Sequence, residues 1–332
     1  MTLISKVIAV VGLLTATTGV YALPIHLGSA GEYTLLSAGP GASQTSGFMQ
    51  LGSKAIIHGN VGGRGFTSLG SGVEIHGKLI HGGYVSAAAG VNVSSGRENR
   101  NLSYWDLIYR DLLSASDSAR LLSGTPLSSI TSTTRLFGNG GLSVFNIDGS
   151  INLGSGESLT LSGNAADSFI INVSERLKLG SSAAILLDGV TADKVLFNFY
   201  GAGSDDAAWN NHLATIVGGA ELSGTFIAPR AFWQIGDGAI MNATRVLANG
   251  IQGNLQTVRG IEHSVIFPPV NPPPVNPPPV NLPPVNPPPV NLPPVNPPPI
   301  NPPPVNVPEP TSLFLLAIGL FALFVSRRKF TG

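Results

Sequence analysis

The first chemistry the sequence offers is a recurrent histidine. His58 and His76 each occupy an Ile-His-Gly phrase eighteen residues apart, and His81 repeats the phrase five residues later. Neutral imidazoles gathered on one edge can share a Zn²⁺ or Cu²⁺ ion, which makes His58, His76 and His81 the candidate metal ligands. The plainer reading is a tolerated polar residue before a turn glycine. Acid chemistry has less to work with. The adjacent carboxylates Asp205-Asp206 lie in the turn-like run Gly203-Ser204-Asp205-Asp206 and read as a solvated loop rather than a Ca²⁺ site. Asp148 and Asp188 stand beside glycine and read as turn formers. The chain has no cysteine, which excludes disulfides, thiolate metal sites and a cysteine nucleophile. The sequence carries no phosphate loop, zinc signature or nucleophile elbow either. These residues predict no catalytic group and no cofactor.

Positioning the histidines requires a repetitive scaffold. Leu51-Gly52-Ser53 leads into Ile57-His58-Gly59, and Leu69-Gly70-Ser71 leads into Ile75-His76-Gly77. Similar phrases open at Leu153-Gly154-Ser155-Gly156, Leu179-Gly180-Ser181 and, in worn form, Ile235-Gly236-Asp237-Gly238. Each is a Gly/Ser turn followed by a short run of alternating aliphatic residues, which is a strand signature. One such unit cannot bury its apolar side alone, so the units must stack. The recurrence predicts a mainly β chain, a β-solenoid with aliphatic ladders inside and coils about 4.8 Å apart. An antiparallel sandwich fits the strands but not the constant phase of the phrase. Isoleucines 57 and 75 should then share an interior ladder, with His58 and His76 pointing outward.

One segment breaks the pattern, at about residues 102–123. Trp105, Ile108, Tyr109 and Leu112 share a helical face, which Ala115 and Ala119 extend. Ser103 with Asp106 is the expected N-cap, and Gly124 with Pro126 the stop. The helix should pack along one flank and bury Trp105 and Leu112.

Several further phrases point to a family. They are Val144-Phe145-Asn146-Ile147-Asp148-Gly149-Ser150, Phe169-Ile170-Ile171-Asn172-Val173-Ser174 and Val195-Leu196-Phe197-Asn198-Phe199. With them go Leu222 to Pro229, Asn249 to Leu255 and the opening Leu27 to Thr34. Residues 23–266 together resemble the choice-of-anchor A domain, an adhesive module related to the ice-binding-like β-solenoids. The resemblance implies a right-handed, discontinuous solenoid with its helix alongside, and no catalytic residues.

The two ends supply the address. Residues 1–22 read as a secretory signal peptide, with Lys6, an apolar run from Val7 to Thr18, and small residues before a cut near Ala22. Residues 267–306 repeat a five-residue unit of prolines, an aliphatic residue and asparagine. Proline removes the amide donor, so this linker should be a polyproline II stalk about 120 Å long. Residues 307–332 hold Pro308-Glu309-Pro310, an apolar stretch and the basic cluster Arg327-Arg328-Lys329. That order resembles the PEP-CTERM sorting signal of Gram-negative bacteria. The resemblance implies an exosortase-type sorting protease as partner, with a transmembrane helix at residues 312–326 holding the chain at the inner membrane before processing. Cell surface or extracellular matrix is then the destination.

Charge narrows the partners. Lys6, Arg327, Arg328 and Lys329 account for four of 18 basic residues, leaving 14 against 18 acidic ones. Only 11% of residues are charged, which is too weak a basic footprint for nucleic acid. Polysaccharide or another extended surface suits such a protein better, through many weak contacts. The expectation is an exported, non-enzymatic adhesive or matrix protein. Two alternatives stand beside it, a β-helix polysaccharide-active enzyme and an ice-binding protein. The second is poorly served by 13 threonines in residues 23–266 whose Thr131-Ser132-Thr133 spacing does not recur.

Overall fold

In a computed structural model of the chain, residues 25–40, 47–201 and 212–261 are described. The segment read as a signal peptide, Asp205-Asp206, the proline-rich residues 267–306 and the sorting tail lie outside them. Among the described residues no helix is long and apolar enough to cross a membrane.

Short strands stack in parallel, coil upon coil. Tyr33–Ser37, Met49–Leu51 and Ile56–His58 form one coil, and Asn60–Gly63, Thr67–Leu69 and Glu74–His76 the next. Leu79–His81, Val85–Ala87 and Asn92–Val93 make a third. The chain then leaves the stack through an α-helix, Leu102–Arg120, and re-enters with Thr125–Ile130. Successive coils from there build back until Ile240–Gly253 pairs with Tyr33–Ser37. The first coil therefore sits inside the stack, between neighbours about two hundred residues apart in sequence, such as Leu35 opposite Val246. This is the discontinuous solenoid.

The Leu-Gly-Ser phrases fall on one line. Leu153, Leu179, Ile216, Ile235, Gly253, Leu51, Leu69 and Ala87 are successive partners along a single ladder. The leucines and isoleucines in it are at most 2% exposed. The glycine that follows is demanded by crowding at the corner. A Cβ on Gly70 would stand 2.6 Å from the Ser53 amide of the coil beside it. Ile57 and Ile75 are register partners, and both are buried.

The helix explains how the chain reaches the far end. Nineteen residues at 1.5 Å each give about 28 Å, or about six coil spacings. Its buried face carries Trp105, Ile108, Leu112, Ala115, Ser116 and Ala119. Its N-cap is Asn101, whose side chain accepts the Tyr104 amide at 3.1 Å. The cap lies two residues before the expected Ser103, although the helix starts at residue 102 as expected. The end comes early, at Arg120 rather than near residue 123, because Leu121 turns out into solvent.

Beneath the helix runs a ladder that is polar at one end and apolar along the rest. Asn146, Asn172, Asn198, Ile227, Leu247, Leu36, Gly62 and Ile80 follow one another in register. Asn198 donates to the Asn172 side chain, and Asn172 to Asn146, each at 2.9 Å. Their amides also donate to the carbonyls of Ser116, Ala119 and Leu122, at and just past the helix end. Helix ends leave carbonyls without intrahelical donors, and the asparagines supply some of them.

Candidate functional site

The histidine edge forms where the sequence places it. His58 and His76 are register partners with ring centroids 4.8 Å apart, tilted by 28°. Both imidazoles face outward, and Glu74 Oε2 lies 3.3 Å from His76 Nε2. His81 is not brought to them. The chain turns at Gly77-Lys78, so His81 lies on the next face, paired in register with Gly63 and Asn99. Its Nδ1 lies 2.9 Å from the Gly83 carbonyl and 3.2 Å from Asn99 Nδ2. No group of three or more metal-ligating side chains occurs among the described residues. Zinc sites take three or four protein ligands, and two imidazoles fall short of that.

The acidic residues have structural partners. Asp188 does more than form a turn. It accepts from Arg135 at 2.6 Å and from the Ser162 hydroxyl at 3.0 Å, across adjacent coils, and these bonds hold its carboxyl below the usual range. Asp167 accepts the amides of Asn164 and Gly140 at 2.8 and 2.7 Å, which lower it likewise. Asp188 ties strands of stacked coils together, and Asp167 staples a loop.

A second outer face was not read from the sequence. Asn152, Lys178, Thr215, Gln234, Gln252, Gln50, Ser68 and Ser86 form one outward column across eight coils. Coil spacing sets them about 4.8 Å apart. An open groove of about 470 Å³ runs beside the middle four, Thr215, Gln234, Gln252 and Gln50. The glycines Gly218, Gly236 and Gly253 line it. At one end of this face Phe48, Phe66 and Tyr84 stack at 5.9 Å per step, with Tyr84 73% exposed. Their eighteen-residue spacing is the signal that sequence reading missed. Only Thr215 in the eight-residue column is a threonine, so no regular threonine row forms there.

The fold is thus a parallel solenoid with shallow polar faces and a flank helix, a class of stacked-coil module. The chain belongs to the family of ice-binding-like adhesive domains, which matches residues 8–257. A PEP-CTERM protein-sorting motif matches residues 306–329 and implies export through an exosortase-type system to the cell surface. No curated protein sequence is similar enough to count as a relative. Among solved structures, the chain is similar to an ice-binding protein from the Antarctic ascomycete Antarctomyces psychrotrophicus. Identity is 18%, coverage 73% of this chain and 100% of that one, and the TM-score 0.47. An ice-binding protein from an Antarctic biological consortium shows 13% identity, coverage of 72% and 90%, and a TM-score of 0.44. The antifreeze protein LeIBP from an Arctic yeast shows 14% identity, coverage of 70% and 92%, and a TM-score of 0.43. Ligands do not transfer at that distance.

Proposed function

We propose that the chain is a stalked, non-enzymatic adhesive or matrix protein that holds polysaccharide along its outward polar column. The observation that carries this reading is the run Thr215, Gln234, Gln252 and Gln50 beside a 470 Å³ groove. Each glutamine offers two donors and an acceptor, which matches a hydroxyl-rich chain better than an ion or an apolar ligand. Repeated weak contacts at one spacing give avidity without a deep pocket. The full chain should be retained on immobilised neutral polysaccharide. The double substitution Gln234→Ala, Gln252→Ala should weaken retention about thirtyfold, since each lost hydrogen bond is worth roughly 1 kcal/mol. Unchanged retention in that variant would remove the column from the binding surface.

The tail is proposed to be cut after recognition, releasing the protein from the membrane. Pro308, Glu309 and Pro310 form the sorting phrase, and Arg327, Arg328 and Lys329 the basic stop. Changing Pro308-Glu309-Pro310 to alanines should leave export intact while full-length protein accumulates in the membrane fraction. Normal-sized protein outside the altered cells would sink the processing step.

A further inference from the structure

An open cleft of about 550 Å³ lies on the histidine edge, and it shares no lining residue with the glutamine groove. Its walls include Glu32, Tyr33, His58, His76, Arg245 and Arg259. Arg245 is the unusual member. It is 4% exposed, yet no carboxylate pairs with it among the described residues. Its Nε donates to the Tyr33 carbonyl at 2.9 Å and its Nη2 to the Ile261 carbonyl at 3.5 Å. Nη1 has no partner. Burial lowers its pKa to about 10, so the guanidinium is still charged at neutral pH. A buried cation with an unpartnered donor is costly unless an anion meets it.

The surroundings favour an anion carried on a sugar. Arg259 stands in register with His58, which stands in register with His76, so three nitrogen-bearing side chains run in a row along the edge. Arg259 is exposed. Among the described residues Glu32 supplies the one carboxylate lining the cleft, and Glu74 is engaged with His76 beside it. The Tyr33 hydroxyl is bound to that of Tyr104 at 2.8 Å, and burial pushes its pKa up, so it stays neutral. Two guanidiniums against one carboxylate leave a cationic site. The Glu32 carboxylate adds an acceptor suited to hydroxyl groups.

We propose that this cleft binds the carboxylate of an acidic saccharide, with the guanidiniums of Arg245 in its wall and Arg259 at its rim as the donors. Paired guanidinium donors suit a carboxylate better than a point charge does. The inference rests on the adhesive reading and names an acidic ligand class for a different face.

The test titrates the full chain by calorimetry with trigalacturonate, neutral trigalactose and inorganic phosphate. Trigalacturonate should bind saturably and the neutral trisaccharide should not. Arg259→Gln at the exposed rim should weaken binding about tenfold. Arg245→Lys, which keeps the charge but loses the fork, should weaken it similarly. Arg176→Gln, an exposed charge elsewhere, should change it less than twofold. Equal binding of the neutral sugar, or no effect of Arg259→Gln, overturns the proposal. Phosphate binding as tight as the uronate makes this an anion site without sugar recognition, which also overturns it. Uronate binding that appears only after Glu262→Gln would mean the chain's own next carboxylate fills the site, and overturns it too. Neutral polysaccharide retained through Gln234 and Gln252, with no uronate bound, defeats the cleft alone and leaves adhesion standing.

Discussion

Ile75→Asp should unfold the solenoid or block its secretion, while Ser71→Asp, four residues away, should be tolerated. Ile75 is 1% exposed and lies between Ile57 and Val93 on the interior ladder. A carboxylate there meets only apolar neighbours, and burying it unpaired costs on the order of 5 kcal/mol, by ionisation or by forced protonation. That is comparable to the roughly 5–15 kcal/mol of stability a whole domain has. Stacking makes the loss worse, because each coil is held only by the coils beside it. Failure at Glu74–His76 would strip the third coil from its support as well. Ser71 is exposed in the corner turn, and only its carbonyl is used, accepting the Lys54 amide. Its side chain can change at a cost within about 0.5 kcal/mol. Urea unfolding of the two secreted variants decides the matter. Matching midpoints would place Ile75 outside the core.

That contrast shows what local sequence can carry. Phase within a coil is written in the chain, since Leu51, Leu69, Leu153, Leu179 and Ile235 repeat one phrase and reach one ladder. The outward phase of His58 and His76 follows from the same alternation. What no local pattern encodes is which coil lies beside which after the helical crossover. The column through Gln252 and Gln50 joins residues from opposite halves of the described chain, so its continuity is invisible until the register is known. Arg245 is similar. It sits in a plain strand phrase, and its place at the cleft depends on Tyr33 and His58 arriving from the neighbouring coil beside Arg259 of its own. His81 failed to join the other histidines for the opposite reason. Its phrase matched, but five residues is too short for a full coil, so it landed on another face.

The asparagine ladder carries the second large effect. Asn146, Asn172 and Asn198 are spaced by twenty-six residues within otherwise apolar strands, a pattern visible in the family phrases but not interpretable from them. Asn172 is 1% exposed and donates to the Ala119 carbonyl at 2.8 Å and the Asn146 side chain at 2.9 Å. Its own carbonyl accepts from Asn198 at 2.9 Å. Asn172→Asp keeps the shape and removes both donors, so a carboxylate oxygen would face two acceptor oxygens in a buried site. Losing two buried hydrogen bonds costs about 2–6 kcal/mol, before any charge is counted. The C-terminal half of the helix should loosen first, because the ladder's donors reach the carbonyls of Ser116, Ala119 and Leu122. Asn146→Asp should be milder, as Asn146 ends the ladder and is only half-buried. Hydrogen exchange of the helix amides separates local from global loss. Faster exchange from Ser116 to Arg120 in Asn172→Asp, with the distant amides of Thr67 to Leu69 unchanged, is the expected pattern. Equal protection of the helix in Asn172→Asp and the parent would mean that packing of Trp105, Ile108 and Leu112 holds it without the asparagines.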